Sequence, residues 1–533
     1  MRAVCNSRRR VPPLRAASFI ATALGATAAA QAADLPAGKA APAEYVRVCA
    51  THGAGFFYIP GTDTCIRVGG RVSFAYEFAQ YRNLAADRSN FISAGRIQAD
   101  ARTATAWGTL RAFVRFDIAS RTGQQHGASG TLRNHGPLGF NATGVDTYNR
   151  AYKYVEADKA FIQFAGLTAG RASSFYDFYM TDIELTNFSI TSNAPFTNLL
   201  AYTVRFGGGF SATVSMEDPT FRRNPLFFGA VGANGVIAPF VGLSGGVASA
   251  GLCANGTATG CVFGAPVLTF DSNGRVVGYA YVDVAQRLNA PDVVANLRVD
   301  QGWGSAQLSV AAHQVAVGNF TGGAPNGGWA RRPAARWGYA VQGGAKLNLP
   351  FLAPGDALWL QAAWARGAMS YTGLPAPIGH DSALQAGIGG GGRFNAWKLD
   401  GYVEPDAGSI RLTTSWSAAV AFLHYWTPQL RSGFVATYGQ PQYPSGARRS
   451  GVYGFVSPGG AYSAAFRDFR EFVGLANLVW SPVRNLDIGV EALYQRIETR
   501  GRVLDNNRGG ALTGRTTGHD DNWLTRFRID RTF

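Results

Sequence analysis

Gly242-Leu243-Ser244-Gly245-Gly246 has the G-x-S-x-G spacing of a nucleophile elbow. An elbow needs a strand before the serine and a helix after it. This pentapeptide lies in 229–252, which carries no charge, is rich in glycine and is interrupted by Asn234 and Pro239. That composition disfavours a helix and reads as a loop. The seven histidines (His52, His126, His135, His313, His380, His424 and His519) show neither catalytic nor metal spacing. His313 falls on the polar face of a strand, where a base role has nothing to pair with. "GHDDN" at 518–522 reads as solvated loop charge rather than a cation site. With no Ser–His–acid constellation the chain does not read as an enzyme, and no cofactor or metal is expected.

The cysteines carry different chemistry. Cys5 lies in an export signal: Arg2, Arg8, Arg9, Arg10 and Arg15 precede the apolar stretch 16–30, and Ala30-Gln31-Ala32 is an A-x-A cleavage site. The mature chain is therefore expected to start at Ala33, by the Sec route. The signal takes five arginines and no acid with it, so the formal charge of +16 becomes +11. Export argues against nucleic acid as the partner of this basic chain. Cys49, Cys65, Cys253 and Cys261 remain, an even number in an oxidising compartment. Sequence proximity favours Cys49–Cys65 and Cys253–Cys261 disulfides. Metal binding is the rival reading, and no histidine stands at an evident ligand spacing with either pair.

The charged side chains recur at a strand's period. In "CIRVGGRVSFAYEF" (65–78), Arg67, Arg71 and Glu77 alternate with Ile66, Val68, Val72, Phe74, Tyr76 and Phe78. In 96–105, Arg96, Gln98, Asp100 and Arg102 share one face, and in 109–118 Arg111, Arg115 and Asp117 do so. Period-2 alternation means a strand with two environments. A soluble sandwich buries the apolar face, whereas a membrane barrel turns it to lipid and keeps the polar face on a wet lumen.

The whole chain decides between them. Its 533 residues exceed an ordinary single domain; it is 47% hydrophobic and 15% charged, with 67 glycines. Sixteen strands are predicted, from 66–78 to 522–533. Short turns at 165–166, 207–208, 301–302 and 427–429 alternate with long connections at 120–152, 174–198, 218–291, 367–411 and 440–468. An even set of antiparallel strands with short turns at one end and long loops at the other predicts an all-β transmembrane barrel. Sixteen strands leave an aqueous channel. Arg67, Arg71, Arg96, Arg102, Arg111 and Arg115 then share inward parity as a basic wall. Residues 1–32 form the signal, 33–65 a periplasmic segment, and 66–533 the barrel.

"EYVRVCATHGAGFFYIPGTDTCIRVGGRVSFAYEF" (44–78), "KAFIQFAGLTAGRASSFYDFY" (159–179), "VANLRVDQGWGSAQLS" (294–309) and terminal Phe533 resemble the alphaproteobacterial porins of rhizobial and Brucella type. The resemblance implies a homotrimeric sixteen-stranded general porin of the outer membrane, passing small hydrophilic solutes and ions. It also implies an inward-folded constriction loop. By the same resemblance that loop follows strand 167–173 and carries Asp177, Asp182 and Glu184, with no Lys or Arg between Arg171 and Arg205. An acidic loop opposite a basic wall would set a transverse field at the narrowest point. Phe533 would be the C-terminal assembly signal, with Arg531 on the outward face. The expected partners are outer-membrane lipids and lipopolysaccharide, the barrel-assembly machinery and two further copies of the chain. A substrate-selective porin, or a surface adhesin or receptor barrel, stays open as the alternative.

Overall fold

The structure, a computed structural model, describes residues 47–80, 88–122, 152–224, 226–231, 237–241, 267–270, 276–282, 286–317, 320–321, 333–375, 393, 396, 398–404, 409–445, 447, 467–505 and 515–533. The signal, Cys253, Cys261, the 242–246 pentapeptide, His126, His135 and His380 lie outside them. Val48–Phe533 forms one unit; the other, Met1–Arg47, is outside the described residues except for Arg47.

Sixteen antiparallel strands make the barrel. They are β1 (Thr64–Ala79), β2 (Ser89–Thr105), β3 (Gly108–Arg121), β4 (Tyr152–Phe164), β5 (Leu167–Ala172), β6 (Thr197–Gly207), β7 (Phe210–Glu217) and β8 (Asp292–Gln301). Then come β9 (Gly304–Val315), β10 (Arg336–Asn348), β11 (Ala357–Arg366), β12 (Thr414–Thr427), β13 (Leu430–Gln442), β14 (Phe469–Val483), β15 (Leu486–Leu504) and β16 (Thr516–Thr532). Each pairs with its successor. β16 returns to β1 with a register from Arg71↔Thr532 to Ala79↔Leu524. Closure satisfies the backbone of every wall strand and leaves no barrel edge. No helix among the described residues is long and apolar enough to cross a membrane; the crossing is made by strands.

The faces follow the alternation. On β1, Val68, Val72, Phe74 and Phe78 are exposed on the outside, while Ala75 and Glu77 are buried inside. The apolar face thus points out, as lipid requires. A buried apolar cluster of the described residues lies inside the barrel. There Tyr179 and Ile190 of the connection 173–196 meet Trp359, Val435, Val473, Leu475, Met369 and Leu374.

Two local departures from expectation matter. β4 is not a regular strand: its register against β3 slips between Arg115 and Phe116, which pair with Lys159 and Ala157. Asp158 is the extra residue of this bulge, and bulges re-aim side chains. The stretch 229–252, expected to be a loop, contains strand instead. Leu226–Val231 pairs antiparallel with Ile237–Val241 and parallel with Gly401–Glu404. Composition that argues against a helix does not argue against a strand, and these segments are rich in Phe, Val and Ile.

Candidate functional site

The connection 173–196 has no cation to solvate and places Phe175, Tyr176, Phe178, Tyr179, Ile183, Leu185 and Ile190 within a short span. Those side chains need cover, and the barrel interior supplies it. Its backbone is held by polar side chains that project inward from strand after strand. Asn296 Nδ2 of β8 donates to the Phe175 carbonyl at 2.6 Å, and Gln342 Nε2 of β10 to Tyr176 at 3.0 Å. The Tyr179 amide donates to Gln361 Oε1 of β11 at 3.0 Å. Further along, Ile190 N donates to Thr437 Oγ1 of β13 at 3.0 Å, and Asn477 Nδ2 of β14 to Ile183 O at 2.7 Å. At the tip, the Leu185 and Thr186 amides donate to the Glu491 carboxylate of β15, both at 2.8 Å. Arg526 and Arg528 of β16 both donate to the Leu185 carbonyl. Such buried amides and carbonyls need partners, and each of these has one. The anchors run along β8–β16, so the loop lies against that half of the interior.

Gly344 of β10 makes room for it. A Cβ there would stand 2.4 Å from the Phe178 ring. A second contact comes from above: Gly373, at φ +74°, faces Thr191, where a Cβ would stand 2.3 Å from the amide nitrogen. Tyr371 meets Tyr176 edge-on at 4.7 Å. The turn at 369–374 is therefore a clasp on the loop.

The three loop acids occupy different environments. Asp177 is sealed: Arg222 Nη2 donates to it at 2.8 Å and Ser192 Oγ at 2.6 Å. Arg222 also lies 4.3 Å over the Tyr371 ring. Glu184 is buried and accepts from Tyr179 OH at 3.0 Å. Burial pushes its carboxyl up to about 8, with the Glu491 charge adding to the rise. Asp182 is exposed. Partial burial raises its pKa, and the positive groups opposing that rise are Lys346 and Arg298, none of the six wall arginines.

Those arginines find acids on their own wall. Asp100 takes Arg102 through two bonds of 3.1 and 2.8 Å and Arg111 through two of 2.9 and 3.0 Å. Arg67 Nη2 stands 3.9 Å from the same carboxylate. Arg96 is bidentate on Asp117 at 2.7 and 2.6 Å, and Arg115 pairs with Asp158. Arg71 has no ion pair with a described acid. The structure therefore brings the arginines together, but as ion pairs within β1–β4. Asp100 and Asp117 show their parity in sequence. Asp158 gives no such signal, because the bulge creates its orientation.

Cys49 and Cys65 are joined, with Cα atoms 6.0 Å apart. The bond fastens Phe56 beneath Arg67 and Arg102, whose guanidinium carbons lie 5.0 and 4.8 Å from its ring centre. His52 does come within 4.8 Å of both sulfurs, a neighbour its spacing did not reveal; the disulfide leaves no thiolate to bind a metal. At the other terminus, Phe533 N donates to Gly70 O and Gly70 N to Phe533 O, each at 3.0 Å. Arg531 faces outward as expected, donating to the Arg484 carbonyl at 2.9 Å. His313, though on the polar face, is not without a partner: its Nδ1 lies 2.8 Å from Asp292, and both are fully buried.

A family model described as "Porin subfamily" matches residues 34–522. Porin Omp2b of Brucella canis is 32% identical over 205 residues, 37% of this chain and 51% of its own length. Porin Omp2a of Brucella ovis is 32% identical over 207 residues, 37% of this chain and 57% of its own. The chain spans about half the length of the curated relatives it matches. Among solved structures, the outer membrane channel DcaP of Acinetobacter baumannii aligns with a TM-score of 0.49 at 11% identity. That alignment covers 89% of this chain and 99% of the other, a likeness too loose to argue from.

Proposed function

This chain belongs to the porin subfamily, and from that premise we propose that it forms a water-filled channel for passive diffusion of small hydrophilic solutes and ions. It is a multi-pass β-barrel of the outer membrane, and the reading is of a channel, not an enzyme. One observation carries the proposal. The inward loop is anchored along β8–β16; among the described bonds the charged wall β1–β4 reaches it only at its first residue, through Lys159 to Ser173, so the rest of that wall is left to water.

In this reading the loop is the constriction, and Asp182 is the acid that its charge acts through at neutral pH. Asp177 and Glu184 hold the loop's shape. The arginine wall opposite is a lattice of ion pairs, so Arg71 contributes more uncompensated charge than its neighbours do. Residues 1–32 are the export signal, 33–65 remain at the periplasmic, short-turn end, and Phe533 marks the chain for the barrel-assembly machinery. Lipid and lipopolysaccharide meet the apolar exterior, part of which a homotrimer covers. The second reading, a substrate-selective channel, is favoured by the 369–374 clasp, which braces the constriction from the long-loop side.

Purified protein added to a planar bilayer should give stepwise, ohmic currents. A folded, inserted barrel that passes no ions would overturn the channel and support a plugged receptor or adhesin.

A further inference from the structure

Beneath the loop, toward the short turns, lies a cavity of about 1000 Å³. Lys159, Arg205, Arg298, Phe161, Phe178 and Met180 are part of its lining. Two of these cations differ from the paired arginines of β1–β4. Arg205 is exposed and has no ion pair with a described acid. Lys159 donates to Ser173 Oγ at 2.6 Å and likewise has no ion pair with a described acid. Arg298 is occupied by Asp300 through two bonds of 2.8 Å. The one acid in the lining, Asp177, is closed off by Arg222.

The register fixes where these charges stand. Thr168 of β5 pairs with Gln163 of β4 and Ala201 of β6. Lys159 lies four residues to one side of that rung and Arg205 four to the other. At ~3.3 Å per residue this separates them by about 26 Å along the strands. Arg205 and Arg298 both pair with Ser211, so they share a rung near the mouth. Between the two ends the β4 wall presents Phe161, stacked on Phe113 at 5.2 Å. The loop presents Phe178 and Met180 to the same cavity.

We propose that this cavity is a two-station path for organic anions with an aromatic or other apolar body. The carboxylate is taken first at the mouth by Arg205, then beneath the constriction by Lys159. The body moves over Phe161, Phe178 and Met180. Two weak stations suit transport, because each must release what it holds. Pockets of this size and mixed lining are typical of small-molecule sites. The inference rests on the channel reading and adds a solute class to it.

The test is single-channel current in potassium chloride with sodium benzoate, sodium acetate or benzylammonium chloride added. Benzoate should interrupt the chloride current at a concentration about tenfold lower than acetate, the scale of one aromatic contact. Benzylammonium should not interrupt it. Lys159→Gln and Arg205→Gln should each raise the half-blocking benzoate concentration severalfold, and Phe161→Ala should bring benzoate close to acetate. Lys159→Arg should retain the block. Folding of each variant is read from heat-modifiable migration; if Lys159→Gln does not fold, Arg205→Gln at the exposed mouth decides. A conducting parent that treats benzoate and acetate alike overturns the inference, as do folded charge variants with parental benzoate sensitivity. A parent that does not conduct overturns the channel reading instead.

Discussion

Asp177, Asp182 and Glu184 lie within eight residues of one another in sequence, yet water reaches them very differently. Asp182 is the exposed one, so Asp182→Asn should move reversal potentials in a salt gradient toward anions. The permeability ratio should change by up to about fivefold, the scale of ~1 kcal/mol for charges 4 Å apart in water. An unchanged reversal potential would remove Asp182 from the constriction. Glu184, pushed up to about 8 by burial, is mostly protonated at neutral pH, so Glu184→Gln should leave that potential alone at pH 7. Its signature is pH. The docked carboxyl holds its proton up to about 8, whereas an undocked one releases it near 4.3. Docking is therefore firmest below that lower value and weakens as pH rises through 8. Current noise from loop motion should grow between pH 6 and pH 9, and Glu184→Gln should abolish that growth. Asp177→Asn acts otherwise: it strands the buried Arg222 cation. Losing one partner of a buried pair costs roughly 3–5 kcal/mol. A noisier, larger conductance is expected; a quiet parental trace would count against the ion pair as the loop's lock.

The elements set these environments. The β4 bulge puts Asp158 and Lys159 on the lumen side in succession, one to neutralise Arg115 and the other bound to Ser173 with no ion pair to a described acid. A regular strand would have sent one of them to lipid. On the facing wall, Gly344 lets the loop lie flat. Gly344→Ala sets a methyl group 2.4 Å from the Phe178 ring, and overpacking of this kind costs about 1–3 kcal/mol. The loop should shift toward the lumen or loosen, seen as changed unitary conductance with the barrel still heat-modifiable. Parental conductance and noise would mean that Phe178 finds another rotamer without moving the backbone.

For the whole molecule, the closed sheet carries the load and the disulfide is an accessory. Fourteen register pairs between β2 and β3, and nine between β16 and β1, hold independently of Cys49 and Cys65. Reduction should free the Phe56 hairpin from Arg67 and Arg102 while ionic current persists. Loss of all current on reduction would make the hairpin part of the pore's frame. The exposed apolar exterior leads to the last expectation: outer-membrane extracts should yield sodium dodecyl sulfate-resistant trimers that dissociate on heating. A monomer as the only species in mild detergent would argue against trimeric assembly.

Strand parity was legible in the sequence because it is a local, two-residue repeat. It put Arg67 and Arg71 inside and Val68 and Val72 outside before any pairing was known, and it located β11 at 357–366. The cysteine pair at 49 and 65 was equally legible, since a short loop brings the two together. Pairing between distant segments was not. Arg96 meets Asp117 only through the β2–β3 register, and Asp177 meets Arg222 only after two long connections fold inward. Asp182 faces Lys346 and Arg298 rather than the arginine wall because the loop docks on β8–β16. These contacts depend on register, on one bulge and on room left by a glycine. Each is settled by packing between residues far apart in the chain, which alternation along a single strand does not encode.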